Sequence, residues 1–167
     1  SLSKAFGQPF VVDNKPGANG MIGTEAAAKA SNDGYTILFT STAAQVVNQS
    51  LFPDIKYDGA KDFEAIVQIG AGGNMLVVPN DSPVNNLKEF IAYVKANETK
   101  VNAAHAGVGS VSNVSCELLN SVLGIKPIGV PFNGTGPAMN ALIAGQVDYM
   151  CDQIVNAVPQ INGGTIK

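Results

Sequence analysis

One short segment of the chain combines residue types that suit the binding of an anion: Ala106, Gly107, Val108, Gly109 and Ser110. The glycines let the backbone approach a ligand closely, and the serine hydroxyl either caps the helix that follows or donates to the ligand. A predicted strand ends at this segment, and an apolar helical pattern begins directly after it. Unpaired N–H groups and the positive end of a helix dipole face outward at such a junction. We therefore expect either a backbone-lined anion site or a plain glycine turn with a serine N-cap.

The anion that suits this loop is a small carboxylate rather than a nucleotide phosphate. A Walker loop ends in Gly-Lys-Ser/Thr, and a dinucleotide-binding loop has a third glycine where this chain has Ser112. All ten basic residues are lysines, so no arginine side chain offers a bidentate contact to an anion. A second glycine-rich junction either offers Asn133 and Thr135 as polar donors or is a simple strand-to-helix turn with Pro137 in the first helical turn.

A carboxylate and two cysteines lie near the same predicted edge of the sheet. Asp152 follows the predicted strand "QVDYM" and either accepts a hydrogen bond from a ligand ammonium or hydroxyl group or caps the next helix. Cys116 and Cys151 are either two buried thiols or, in an oxidising compartment, a disulfide. The single histidine, His105, excludes a histidine-based metal cluster, and neither cysteine lies in a nucleophile motif. We therefore expect no metal ion and no catalysis.

Composition indicates a glycine-rich globular protein with no affinity for polyanions. Of the 167 residues, 46% are hydrophobic and 18 are glycines. A chain of this length buries a core without needing disulfides or metal ions. The net charge of −3 argues against nucleic acid as a partner. The sequence has no apolar run of 18 residues, and its first residues lack the pattern of a signal peptide. We expect no cofactor.

Hydrophobic periodicity predicts strands that alternate with helices, which is the order of an α/β fold. Strands are expected at 9–14, 35–40, 100–106, 127–132 and 146–150, and helices at 20–30, 87–94, 110–123, 136–145 and 155–163. Residues 2–7 are typical of a last helical turn with Gly7 as its terminal glycine. The apolar segment 63–79 is too long for one strand and contains glycines at 70, 72 and 73. It predicts two strands, or one bent strand that crosses between two lobes.

Several separated motifs resemble those of one family of transport receptors. They are "VVDNKPGANGMIGTEAAAKASNDGYTILFTSTA", "LVVPNDSPVNNLKEFIAYVKA", "AAHAGVGSVSN" and "PFNGTGPAMNALIAGQVDYMCDQ". In order and spacing they resemble the solute receptors of tripartite tricarboxylate transporters, the TctC-like or Bug receptors, over about residues 4–167. The resemblance implies an α/β fold of the periplasmic binding protein type II class, with two lobes, mainly parallel sheets and a cleft between them. Residues 1–72 then form part of the first lobe, 73–79 the crossing or hinge strand, and 80–167 the second lobe.

The same resemblance implies a receptor that captures a small organic carboxylate and passes it to a membrane permease. The ligand-binding positions that it indicates are Ser41, Thr42, Ala106, Gly107, Val108, Gly109, Ser110 and Asp152. It places a second ligand loop upstream of Ser1 and the return strand after Lys167. We expect a periplasmic monomer, whose signal peptide is not part of this chain, with Cys116 bonded to Cys151. The alternative function is the ligand-sensing domain of a regulator, which has a similar two-lobed fold.

Overall fold

A computed structural model describes residues 2–167 and divides the chain into two compact units, Ser1–Phe63 and Glu64–Lys167. Within the described residues, no helix is both long enough and apolar enough to cross a bilayer. The division falls after Phe63, and residues 64–73, which follow it, form no regular secondary structure. The lobe boundaries at residues 72 and 79 stay a prediction.

Helices and helical turns are the regular secondary structure of the first unit over its described residues. It contains α1 (Leu2–Phe6), a 3-10 turn (Ala18–Gly20), α2 (Met21–Ala28), and a π-helical turn (Ala43–Val47) that continues into α3 (Asn48–Leu51). Gly7 follows α1 with a φ of +64°, which confirms its predicted role as terminal glycine. The strands predicted at 9–14 and 35–40 are wrong for residues 2–63, where no segment pairs with them. Their side chains stay in solvent, with Val11 at 89% exposure and Tyr35 at 92%.

A buried asparagine organises the turn that starts α2. The Nδ2 of Asn19 donates to the Oδ1 of Asn48 at 2.9 Å, and the Nδ2 of Asn48 donates to the carbonyl of Asn19 at 3.1 Å. Ala18 and Asn19 both have positive φ angles, 46° and 52°, which residues other than glycine rarely adopt. Because Asn48 is fully buried, these two bonds offset its desolvation and hold the turn in place.

The second unit is an α/β layer built on a four-stranded sheet. Its elements are β1 (Asn74–Val77), α4 (Leu87–Ala96), β2 (Asn102–His105), α5 (Val111–Leu123), β3 (Ile128–Pro131), α6 (Thr135–Ile143), β4 (Tyr149–Gln153) and α7 (Ile154–Asn162). The strand order is β1-β4-β2-β3, in which β2 is parallel to β3 and β4, and β1 is antiparallel to β4. The mainly parallel sheet predicted for this region is therefore confirmed. Of the apolar segment 63–79, only β1 is a regular strand, because residues 64–73 have no neighbouring strand within residues 2–167.

Helices cover both faces of this sheet. Buried side chains of α6 and α7 pack on one face with Ala104 and Met150, while α4 and α5 pack on the other face with Tyr149. The rings of Phe90 and Tyr149 meet edge to face, with centroids 5.0 Å apart. Since β2, β3 and β4 are parallel, their C-terminal ends emerge at one edge of the sheet. The N-termini of α5, α6 and α7 follow these strand ends.

The last residues of the chain lie beside the end of β1. The N–H of Val78 donates to the carbonyl of Lys167 at 2.8 Å, and the N–H of Lys167 donates back at 3.0 Å. Pro79 and Ile166 form an antiparallel bridge, and Ile166 is buried in the core. The segment thus extends the edge of the sheet by a single bridge.

Candidate functional site

The loop Ala106–Ser110 joins the C-terminal end of β2 to α5. Gly107 and Gly109 have φ angles of +114° and +77°, so the loop path depends on glycine. The N–H of Phe132 donates to the carbonyl of His105 at 2.9 Å, which places the β3–α6 junction alongside. A Cβ added to Gly107 would lie 3.7 Å from the carbonyl oxygen of Phe132. The sheet therefore brings the two glycine-rich junctions together at one edge.

Polar side chains of α5 hold this loop in shape. Ser110 is the N-cap: its Oγ accepts from the N–H of Asn113 at 3.2 Å and lies 3.0 Å from the Oγ of Ser112. Ser112 Oγ accepts from the N–H of Ala106 at 2.9 Å, and Asn113 Oδ1 accepts from the N–H of Gly109 at 3.0 Å. Of the two roles left open for Ser110, the structure therefore shows the cap. Asn113 is a loop-positioning residue that the sequence motifs did not indicate, although a polar run after a glycine loop is a capping signal.

The remaining N–H groups of the loop have no acceptor in the part of the chain that the structure describes. Those of Gly107 and Val108, and those of Val111 and Ser112 in the first turn of α5, donate to no acceptor among residues 2–167. A helix of thirteen residues adds the positive end of its dipole at the same place. Converging backbone donors at a helix N-terminus stabilise a bound anion without any charged side chain. The loop thus has the chemistry of a carboxylate site.

Asp152 lies at the C-terminal end of β4, opposite Met75 of β1, and is only 2% exposed. Its Oδ1 accepts from the Nδ2 of Asn156 at 3.1 Å and from the N–H of Gln153 at 2.7 Å, so it supports the start of α7. Its Oδ2 is buried and has no hydrogen-bond partner in the described part of the chain. Burial raises the pKa of the Asp152 carboxyl, and the bond from Asn156 opposes that shift. The predicted capping role is wrong, because Gln153 is the N-cap of α7 and no side chain accepts from the first backbone N–H groups of that helix.

A disulfide links the two elements that carry these groups. Cys116 of α5 is bonded to Cys151 of β4, with Cα atoms 5.4 Å apart. Both cysteines are buried, and Cys151 directly precedes Asp152. The bond therefore ties the helix that begins at the loop to the strand that bears the carboxylate.

Three further residues that the sequence singled out belong to the first unit or to the end of β2. Ser41 and Thr42 belong to the first unit and are exposed at the start of its π-helical turn, where the Ser41 carbonyl accepts from the N–H of Gln45 at 3.0 Å. Their role in ligand binding stays a prediction. His105 is 5% exposed, and its Nδ1 has no partner among residues 2–167. Within those residues, no group of three His, Cys, Asp or Glu side chains is placed to hold a metal ion.

The whole chain, residues 1–167, matches the family described as "Tripartite tricarboxylate transporter family receptor". It is 36% identical over 166 residues to a UPF0065 protein of Agrobacterium vitis, a match that covers 99% of this chain and 48% of that protein. The chain spans about half the length of the curated relatives it matches.

Two solved structures are similar along the entire chain. MatC from Rhodopseudomonas palustris, solved with bound malate, is 43% identical with a TM-score of 0.88, over 99% of this chain and 56% of MatC. The periplasmic binding protein BugD is 38% identical with a TM-score of 0.84, over 100% of this chain and 56% of BugD. The sequence match and these folds agree, and the chain belongs to the tripartite tricarboxylate transporter receptor family.

Proposed function

We propose that this protein is an extracytoplasmic receptor that captures a small organic carboxylate and delivers it to the membrane permease of a tripartite tricarboxylate transporter. The free N–H groups of Gly107 and Val108 above the N-terminus of α5 carry this proposal. They offer a carboxylate several donors in a chain whose ten basic residues are all lysines. MatC, which was solved with malate, supports the same ligand class. Family membership favours this function over the ligand-sensing domain of a regulator.

The remaining features of the receptor belong to the same proposal. Ser41, Thr42 and Asp152 are further ligand-binding residues, and the lobes comprise residues 1–72 and 80–167 with the crossing strand at 73–79. The protein acts as a periplasmic monomer and binds its ligand without chemical conversion. The name of BugD as a periplasmic binding protein supports this location.

Calorimetric titration and thermal melts with a panel of mono-, di- and tricarboxylates test the proposal. A ligand at 100 times its Kd raises the free energy of unfolding by about 2.7 kcal/mol, which shifts the melt clearly. The methyl esters of the same acids are the matched controls, because they keep the carbon skeleton and lose the anion. Stabilisation by an acid but not by its ester is the expected result. A panel in which no acid binds, or in which esters bind equally well, contradicts the proposal.

A further inference from the structure

We propose that Asn133 is a site of spontaneous deamidation, and that the product places a negative charge beside the anion loop, Ala106–Ser110. The modification itself depends only on the β3–α6 junction and goes beyond the proposed function. Its effect on the affinity for a ligand rests on the proposed function. The reactive sequence is an asparagine followed by a glycine, and it occurs at Asn19, Asn133 and Asn162.

The reaction needs only water as a co-reactant. The backbone nitrogen of Gly134, after losing its proton to base, attacks the side-chain Cγ of Asn133, and the amide nitrogen leaves as ammonia. A new bond from nitrogen to Cγ thereby replaces the Cγ–Nδ2 bond and closes a cyclic succinimide. Water then opens the ring at either carbonyl, which gives aspartate or isoaspartate without a change in oxidation state. Glycine in the second position favours the attack because it has no Cβ to obstruct it.

Both reacting groups at Asn133 are without partners in the described chain. The side chain of Asn133 is exposed and makes no hydrogen bond among residues 2–167, so it is free to rotate toward the next backbone nitrogen. The N–H of Gly134 donates to no acceptor among the same residues, and α6 begins only at Thr135. A Cβ added to Gly134 would meet nothing within 4 Å, so there is open space beside the reacting atoms. The attack therefore requires no prior unfolding.

The pair at Asn19 has the same chemistry but is held by hydrogen bonds on both reacting groups. The side chain of Asn19 donates to the Oδ1 of Asn48 at 2.9 Å. The N–H of Gly20 donates to the carbonyl of Gly17 at 3.0 Å. Both bonds must break before the nitrogen can lose its proton and reach the side chain.

The pair at Asn162 is held by the end of a helix. Asn162 is the last residue of α7, and the N–H of Gly163 donates to the carbonyl of Pro159 at 3.0 Å. Local opening of a hydrogen-bonded site reduces the reactive population in proportion to its cost. We therefore expect Asn19 and Asn162 to deamidate at least about 10-fold more slowly than Asn133 in the folded protein.

The β3–α6 junction brings the modified residue close to the anion loop. The N–H of Phe132 donates to the carbonyl of His105 at 2.9 Å, and a Cβ added to Gly107 would lie 3.7 Å from the Phe132 carbonyl oxygen. Asn133 follows Phe132 directly, so its product carries a negative charge near the N–H groups of the loop. Because like charges repel, we expect carboxylates to bind the modified protein about threefold or more weakly at low salt.

Peptide mass spectrometry after incubation of the protein at a mildly alkaline pH tests the modification, because the exchange of an amide for an acid changes the mass. The peptide with Asn133 should be modified at least about 10-fold faster than those with Asn19 and Asn162. In concentrated urea, which opens all three sites, the rates should converge. Asn133→Gln should leave its peptide unmodified, since the longer side chain cyclises far more slowly. A folded protein in which Asn133 reacts no faster than the other two, or a rate difference that persists in urea, overturns the proposal.

Titration calorimetry with succinate and malate tests the effect on affinity. Anion-exchange chromatography separates the deamidated protein by its added negative charge, and Asn133→Asp supplies the aspartyl product in pure form. Both should bind about threefold or more weakly than the unmodified protein, and high salt should reduce the difference. Equal affinities overturn the effect on binding and leave the modification. If no form binds either acid or any other carboxylate, the proposed function fails and this effect with it, while the mass measurement still decides the modification.

Discussion

Gly107 is the single residue on which the shape of the anion loop depends most. Its φ of +114° lies outside the left-handed helical region that alanine tolerates at modest cost, whereas Gly109 at +77° lies close to it. We expect Gly107→Ala to move the free N–H groups and to weaken carboxylate binding by at least about 10-fold, because converging backbone donors must keep their direction. Calorimetry measures the affinity, and a melt checks the fold.

The matched control for this change is Gly136→Ala on α6. Gly136 has no positive φ, and an added Cβ meets nothing within 4 Å. Alanine in this helical turn is expected to be neutral or to stabilise by about 0.5–1 kcal/mol. Unchanged affinity in Gly107→Ala would place the ligand away from this loop.

The burial of Asp152 predicts a pH dependence of stability. Because burial raises the pKa of Asp152 in the folded protein above that of the unfolded chain, its contribution to the free energy of unfolding is fully present below about pH 4. That contribution is lost as the pH rises through the folded pKa. Urea unfolding from pH 4 to pH 8 should therefore show wild type losing stability relative to Asp152→Asn. If the difference in free energy of unfolding between the two proteins stays constant over this range, the raised pKa of Asp152 is contradicted.

At the scale of elements, a buried hydrogen bond connects α5 to β4. The hydroxyl of Tyr149 donates to the Oδ1 of Asn120 at 2.7 Å, and both residues are buried. Burial raises the pKa of Tyr149, so the hydroxyl stays a donor. Tyr149→Phe keeps the ring contact with Phe90 but leaves the amide oxygen unsatisfied, at a cost of about 1–3 kcal/mol. The control is Tyr93→Phe, because the hydroxyl of Tyr93 has no partner among residues 2–167. If the two variants have equal denaturation midpoints, the hydrogen bond of Tyr149 contributes nothing to stability.

The disulfide between the same two elements should strengthen this connection. Cys116 and Cys151 are 35 positions apart, so in the chain-entropy model their bond stabilises by about 3–4 kcal/mol. Reduction should lower the melting temperature of the protein accordingly. Intact mass after alkylation without reductant provides the direct check, because a bonded pair takes up no label. Two labelled thiols on natively purified protein would show that the bond is absent.

At the scale of the whole molecule, several apolar segments form no regular secondary structure. The segments 9–14, 35–40 and 64–73 contain several apolar side chains, yet they form no regular secondary structure and have no ladder partner among residues 2–167. We expect their amides to exchange with deuterium rapidly, and those of β2 and β4 slowly, because exchange follows hydrogen bonding and burial. Exchange measured by mass spectrometry on peptides tests this. Slow exchange at 9–14 or 35–40 would mean that another copy or another segment pairs with them.

The sequence by itself determined the features that depend on near neighbours. The amphipathic spacing predicts α4 and α5, the glycine at position 7 predicts the end of α1, and the polar residue after the glycine loop predicts the cap of α5. Such signals lie within a few residues of the element that they specify. The position of the loop Ala106–Ser110 at the end of β2 follows in the same way.

Only the tertiary structure decided which extended segments become strands, because a strand requires a partner that is distant in sequence. The apolar segments 9–14 and 35–40 match the strand pattern as well as β2 does, but β2 lies between β3 and β4 while they lie beside no strand within residues 2–167. The same holds for Asp152, whose hydrogen bonds to Gln153 and Asn156 are local in the sequence. The burial of Oδ2 without a partner in the described chain results from tertiary packing, which no spacing along the chain reveals.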